Sequence, residues 1–159
     1  MSPLIRGLTL ALWLLPVGFG FWALLSPDHM ILTICLFLIG LYGAVWLSCR
    51  PLCFVIAADK LDIVFPIWRR KILLNTIAGA KILDRDAFDR EFGWALRIGV
   101  GGLWGGFGWL WTQHRGLIEF YISRLDFFVL LDRQVGKSLL ITPEALEQFV
   151  ATIQDNRLM

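Results

Sequence analysis

Charge is what the first third of this chain lacks: between Gly7 and Ser48 the only formally charged residue is Asp28. Across all 159 residues the charged fraction is 18%, against 57% hydrophobic residues and a mean hydropathy of +0.67, which excludes a lone soluble domain of ordinary composition. Histidine is scarce, with His29 and His114 only: the first falls in the expected turn between two apolar runs, and the second has no carboxylate neighbour in sequence. Cysteine is scarce too. Cys35, Cys49 and Cys53 are an odd set within or beside the apolar region, which argues against a disulfide framework and for a reducing compartment around the polar part. Cys49 and Cys53 lack the His or second Cys pair of a tetrahedral metal site, so they read as packing residues and no metal is expected. The glycine-rich residues 101–108 lack the Lys and Ser/Thr of a phosphate loop. Asp59 with Asp62 and Asp84 with Asp86 read as turn and solvation chemistry. The net charge of +2 is too small to imply nucleic acid. Catalysis, a cofactor and a small-molecule substrate are therefore not expected.

What the chain does have is two long apolar runs. Residues 8–25 and 30–48 are each about long enough to cross a hydrocarbon core as a helix, which needs roughly 20 residues. Large side chains crowd the place where a signal-peptide cleavage site needs small ones, and a second run follows at once, so a helical hairpin is expected over residues 1–50. Ser26, Pro27, Asp28 and His29 form the expected turn. Arg6, Arg50 and Lys60 flank the outer ends of the runs, which predicts two-pass insertion with both termini cytoplasmic. Pro16, Gly18, Gly20, Gly40 and Gly43 are the candidate contacts for a partner helix, although ordinary membrane-helix composition is the favoured explanation and the spacing of Gly40 and Gly43 misses the small-xxx-small pattern.

Residues 92–111 are apolar but hold Arg97 and seven glycines, too many for a third membrane helix at about 1 kcal/mol each. A glycine-hinged loop or strand pair is expected there. Trp94, Trp104, Trp109 and Trp111 either lie at lipid-headgroup level or fill a domain core.

After Pro51 the pattern changes to short strands broken by turn residues. Strands are expected at residues 52–57, 61–67, 69–74, 76–83, 116–123, 126–132 and 137–141, with turns at 58–60 and 134–136 and a solvated connection at 81–91. Thr142, Pro143 and Glu144 mark a helix start, and Ala145, Leu146, Phe149, Val150 and Ile153 fall on one helical face. Residues 51–159 are thus expected to form an antiparallel β-sandwich or partly open barrel closed by a C-terminal helix, which makes the whole chain a membrane-anchored α+β protein.

The run Leu103-Trp104-Gly105-Gly106-Phe107-Gly108, then Ile118-Glu119-Phe120-Tyr121, Phe128-Val129-Leu130-Leu131-Asp132 and Leu140-Ile141-Thr142-Pro143-Glu144 leading to Gln148-Phe149, resembles the bacterial pleckstrin-homology-like (PH-like) domains attached to short membrane hairpins. The resemblance spans residues 53–154. It implies a PH-like fold and a binding task, with lipid, peptide or protein as ligand. Lipid-binding relatives hold phosphates with basic side chains between the first strands, which here are Lys60, Arg69, Arg70 and Lys71. Beside Trp68 these also suit resting on anionic headgroups as a membrane lipid contact, together with Trp104, Trp109 and Trp111.

Two functions follow as expectations. The first is a non-catalytic accessory or assembly factor whose hairpin and PH-like domain bind a larger integral membrane protein complex; similarity to small membrane-anchored proteins extends this, for a photosynthetic host, to photosystem assembly or repair. The second is a lipid-binding, membrane-organising module. Transport is disfavoured because neither run holds an ionisable residue of the kind that marks ion paths.

Overall fold

The computed structural model describes residues 2–25, 29–57 and 59–158. Two long helices come first, α1 (Pro3–Leu25) and α2 (His29–Ser48), each long and apolar enough to cross a membrane. Pro3 suits the first helical turn, so α1 starts earlier than the apolar run alone predicts. Ser26, Pro27 and Asp28 of the expected turn lie outside the described residues, and His29 belongs to α2 rather than to that turn. The helices run antiparallel, with Cys35 Sγ donating to Pro16 O (3.3 Å) and Tyr42 OH to Leu12 O (3.1 Å).

The second of these bonds follows from the proline. Pro16 has no N–H, so the carbonyl four residues earlier, on Leu12, loses its intrahelical donor. Tyr42 supplies a replacement from the neighbouring helix. Tyr42→Phe leaves that carbonyl unpaired in apolar surroundings at a cost of about 1–3 kcal/mol. The expected result is a melting temperature in detergent clearly below that of the parent protein; an unchanged value would show that Leu12 O finds another donor.

The rest of the chain forms two sheets. Strands β1 (Cys53–Ala57), β2 (Lys60–Val64) and β3 (Arg69–Leu73) make a three-stranded antiparallel meander. Strands β4 (Ile77–Asp84), β5 (Ala95–Gly101), β6 (Gly106–Thr112), β7 (Gly116–Ile122), β8 (Phe127–Arg133) and β9 (Leu139–Ile141) form a six-stranded sheet in the order β4-β8-β9-β7-β6-β5. Helices α3 (Arg85–Phe92) and α4 (Leu146–Leu158) complete an α+β architecture.

Central strands β8 and β9 read as unbroken apolar runs because both of their faces are covered. On one face Val129, Leu131, Leu139 and Ile141 meet Leu61, Ile63 and Ile72 of the small sheet and Phe149 and Ile153 of α4. On the other, Phe128, Leu130 and Leu140 meet Phe92, Leu110, Ile118 and Phe120. The expected C-terminal helix thus packs on the sheets through Leu146, Phe149, Val150 and Ile153, whereas Ala145, also expected on that face, precedes the helix and is exposed.

Several expectations are corrected. The sheet is not wholly antiparallel, since β7 and β9 pair in parallel. Strand β2 stops at Val64 because Phe65 to Trp68 close a turn, Phe65 N donating to Trp68 O (2.9 Å). Ala58 of the expected 58–60 turn lies outside the described residues, and Lys60 already opens β2. Residues 81–91 are not a solvated connection. Strand β4 runs on to Asp84, whose carboxylate accepts from Ala87 N (2.7 Å) and caps α3, a helix that buries Phe92. Two of the alternating charges there are paired: hydrogen bonding from Lys81 (2.8 Å) and the nearby Arg115 hold the Glu91 carboxyl below its ordinary range. Thr142 does not cap the last helix, which begins at Leu146; its Oγ1 accepts from Ser123 N (2.9 Å).

Candidate functional site

The glycine-rich residues resolve as a strand pair, β5 and β6, whose tip reaches the helix pair. Gly102 N donates to Gly105 O (2.9 Å) and closes a tight turn around Leu103 and Trp104. Leu103 is buried with Tyr42 and Val45 of α2. The Trp104 ring sits edge-on to Trp46 (centroids 4.9 Å apart) and to Trp13 (6.4 Å). Thr9 Oγ1 lies 2.8 Å from both Ile5 O and Gly102 O, and accepts from Trp104 N (3.0 Å). One buried hydroxyl therefore ties the turn's backbone to α1. Trp104 has φ +58°, a left-handed conformation that a non-glycine residue keeps only when its surroundings impose it.

Behind the tip, Gly99 and Gly108 are direct cross-strand partners. A Cβ on Gly99 would lie 2.2 Å from Phe107 O, and one on Gly108 2.5 Å from Ile98 O. The two strands approach so closely here that neither position admits a side chain.

From this pivot the ribbon carries an exposed apolar face. The register pairs Leu96 with Trp111 and Ile98 with Trp109, and β7 adds Leu117 opposite Trp111. Trp109 and Trp111 are 48% and 55% exposed, and Trp94, Leu96, Ile98 and Leu117 share that exposure. Lys137 lies over the Trp109 ring at 5.7 Å, and Glu119 sits opposite Trp109 on β7, so charge rims the apolar strip. Strand β5 is the sheet's edge, with one row of backbone groups unpaired to any strand. The four tryptophans thus divide: Trp104 packs against the helices, whereas Trp94, Trp109 and Trp111 stand on the outer face.

The basic residues of β3 divide as well. Arg69 and Lys71 are exposed, but the Arg70 guanidinium forks onto Glu119 (2.5 and 3.2 Å) and nears Tyr121 OH (3.5 Å). Hydrogen bonding from Glu119 raises the Arg70 pKa, and burial raises that of Tyr121. Trp68 stacks on Phe65 (centroids 4.0 Å, planes 3° apart) and donates its indole N–H to Ser48 O (3.1 Å). That bond satisfies one of the orphan carbonyls at the end of α2 and makes a second fastening between domain and helices.

Among the small and kinked positions of the helices, Pro16 is buried in the α1–α2 contact and Gly20 meets Cys35 Sγ. Both are occupied within the chain. Gly18, Gly40 and Gly43 face outward with open space beside them.

Sequence reasoning missed Leu96, Ile98 and Leu117 as part of an exposed strip, and Thr9 as the clamp. The alternation Leu96-Arg97-Ile98 carried the first signal; a lone hydroxyl in an uncharged run carried a weak second. Among the described residues no group of three or more His, Cys, Asp or Glu side chains is placed to hold a metal ion. Comparison of the chain with models of known families, with curated proteins and with solved structures finds no match, so a functional reading rests on this geometry.

Proposed function

We propose that this chain is a non-catalytic, membrane-anchored accessory protein: α1 and α2 span the bilayer, and a PH-like domain presents the apolar face of β5–β7 to a larger integral membrane protein. The observation that carries the reading is the strip of Trp94, Leu96, Ile98, Trp109, Trp111 and Leu117, exposed yet fixed to the helix pair through the β5–β6 tip. An apolar patch rimmed by charge marks a protein or membrane contact, and tryptophan is enriched among the few residues that dominate the energy of protein contacts. Support for the anchor is the outward display of Leu and Phe along both helices, unlike a soluble core helix. Support for a cytoplasmic domain is the presence of Arg6, Arg50 and Lys60 on the domain side of the helices. Support for the PH-like fold is two packed sheets closed by a C-terminal helix.

The test is affinity isolation of full-length protein in mild detergent beside a Trp109→Ser/Trp111→Ser double variant, with mass spectrometry of the eluates. One membrane complex recovered in stoichiometric amount by the parent chain, and about tenfold less by the double variant, is the expected result. Equal recovery by both would remove this face as the docking surface. Recovery of lipid alone would favour the second reading, a lipid-binding module using Arg69, Lys71 and the exposed tryptophans.

A further inference from the structure

A second feature lies where the domain meets the outer ends of the helices. A cleft of about 400 Å³ there is lined by Arg50, Arg124, Tyr121, Ser123 and Thr142, with Glu144 as its one carboxylate. That volume falls within the roughly 300–1,000 Å³ of small-molecule sites. We infer that this cleft is a phosphoryl-binding site whose ligand is the anionic phosphate of a membrane lipid headgroup. The phosphoryl chemistry stands on the cleft itself, and the lipid source rests on the anchor proposed above.

The two arginines carry the argument. Arg50 follows the last turn of α2, and its guanidinium lies over the Trp46 ring at 4.2 Å. Stacking uses the face of the guanidinium and leaves its in-plane N–H fork free, and among the described residues no carboxylate forms an ion pair with it. Burial also pushes the Arg50 pKa below its ordinary value, the mark of a desolvated cation without a counter-charge. Arg124 donates one Nη2–H to Pro143 O, a neutral acceptor, and retains further donors. Planar forks of this kind match the oxygens of phosphate better than any other side chain. Ser123 Oγ and Thr142 Oγ1, 3.2 Å apart, add hydroxyls to the same wall. Glu144 is exposed, so the lining keeps a net positive charge. This is not the β3 cluster expected from sequence: there Arg70 pairs with Glu119, whereas among the described residues neither Arg50 nor Arg124 forms an ion pair.

Native mass spectrometry of the full chain in an uncharged detergent is the test, with phosphatidylglycerol, diacylglycerol and glycerol 3-phosphate as separate probes. The expected result is one retained phosphatidylglycerol, no retained diacylglycerol, and about tenfold weaker retention in Arg50→Gln/Arg124→Gln. Arg90→Gln, on the exposed side of α3 and outside the cleft, should leave retention unchanged. Should the double glutamine variant fail to fold, as judged by near-ultraviolet circular dichroism, Arg50→Lys serves instead: it keeps the charge, loses the fork, and should weaken retention about threefold. Arginine-dependent binding of glycerol 3-phosphate without lipid retention would keep the phosphoryl site and overturn the lipid source. Retention of neither probe in an arginine-dependent way would overturn the proposal. Alkaline carbonate extraction of membranes bearing the chain judges the anchor separately, so the two failures are told apart.

Discussion

Gly99→Ala is expected to lower the melting temperature by about 10 °C or more, whereas Gly116→Ala should lower it by only about 2–4 °C. Both glycines have positive φ, +148° and +66°, so each substitution forces an L residue into a conformation it disfavours. They differ in space. A Cβ on Gly116 meets nothing within 4 Å, and its cost is the conformational one of about 1 kcal/mol. A Cβ on Gly99 falls 2.2 Å from Phe107 O, an atom of the partner strand's backbone that no side-chain rotation can move. Relief requires separating β5 from β6, with loss of the ladder that carries the exposed strip. The stability loss should exceed about 3 kcal/mol, and partner recovery should fall with it. The measurement is thermal unfolding in detergent followed by tryptophan fluorescence. Equal shifts for the two variants would mean that the strand crossing at Gly99 and Gly108 is looser than its geometry indicates.

Periodicity made much of this architecture legible. The uncharged runs yield α1 and α2, and the spacing of Leu146, Phe149, Val150 and Ile153 yields α4 and the face it buries. The hydrophobic strands β8 and β9 were also readable, but their register was not: a parallel β7–β9 pair depends on contacts distant in sequence. Helix α3 escaped because it is short and carries charge on most of its positions, which also describes a solvated loop; only Asp84 at its start and the Phe88-to-Phe92 spacing distinguish it. Thr142 misled for the opposite reason. A good local capping sequence was overridden by a tertiary partner, Ser123, that local rules cannot see.

At the site the division is similar. Composition singles out the tryptophans, yet their roles depend on the pivot at Gly99 and Gly108, which sends Trp104 toward the helices and leaves Trp109 and Trp111 outside. Arg69, Arg70 and Lys71 form one basic run in sequence, but strand alternation points Arg70 inward to Glu119 and its neighbours outward. Arg50 and Arg124 are far apart in the chain, and only folding brings them to one cleft.

Trp104→Ala should uncouple the domain from its helices without unfolding it. The indole makes edge-on contacts with Trp13 and Trp46, and truncating it removes two aromatic pairs and the plug of the tip, about 2–4 kcal/mol in all for a half-buried tryptophan. The domain core lies elsewhere, on both faces of β8 and β9, so its melting should change little. What changes is pose. Spin labels at the exposed positions Leu36 on α2 and Val135 in the domain should give one narrow distance distribution in the parent chain and a broad one in Trp104→Ala. Trp104→Gly loses the same contacts but releases the strain of φ +58°, so it should be about 1 kcal/mol less destabilising than the alanine variant. An unbroadened distribution would shift the clamp to the fastenings that the indole does not make: Thr9 Oγ1 on the turn's backbone, Trp68 on Ser48 O and Ser2 N on Ser123 O. If the tip does fix the pose, Trp104→Ala should also weaken partner recovery although every residue of the exposed strip is intact. On the proposed function, a docking face held at a set angle to the two apolar helices loses its binding advantage once the angle is free, because ordering it again upon binding opposes association.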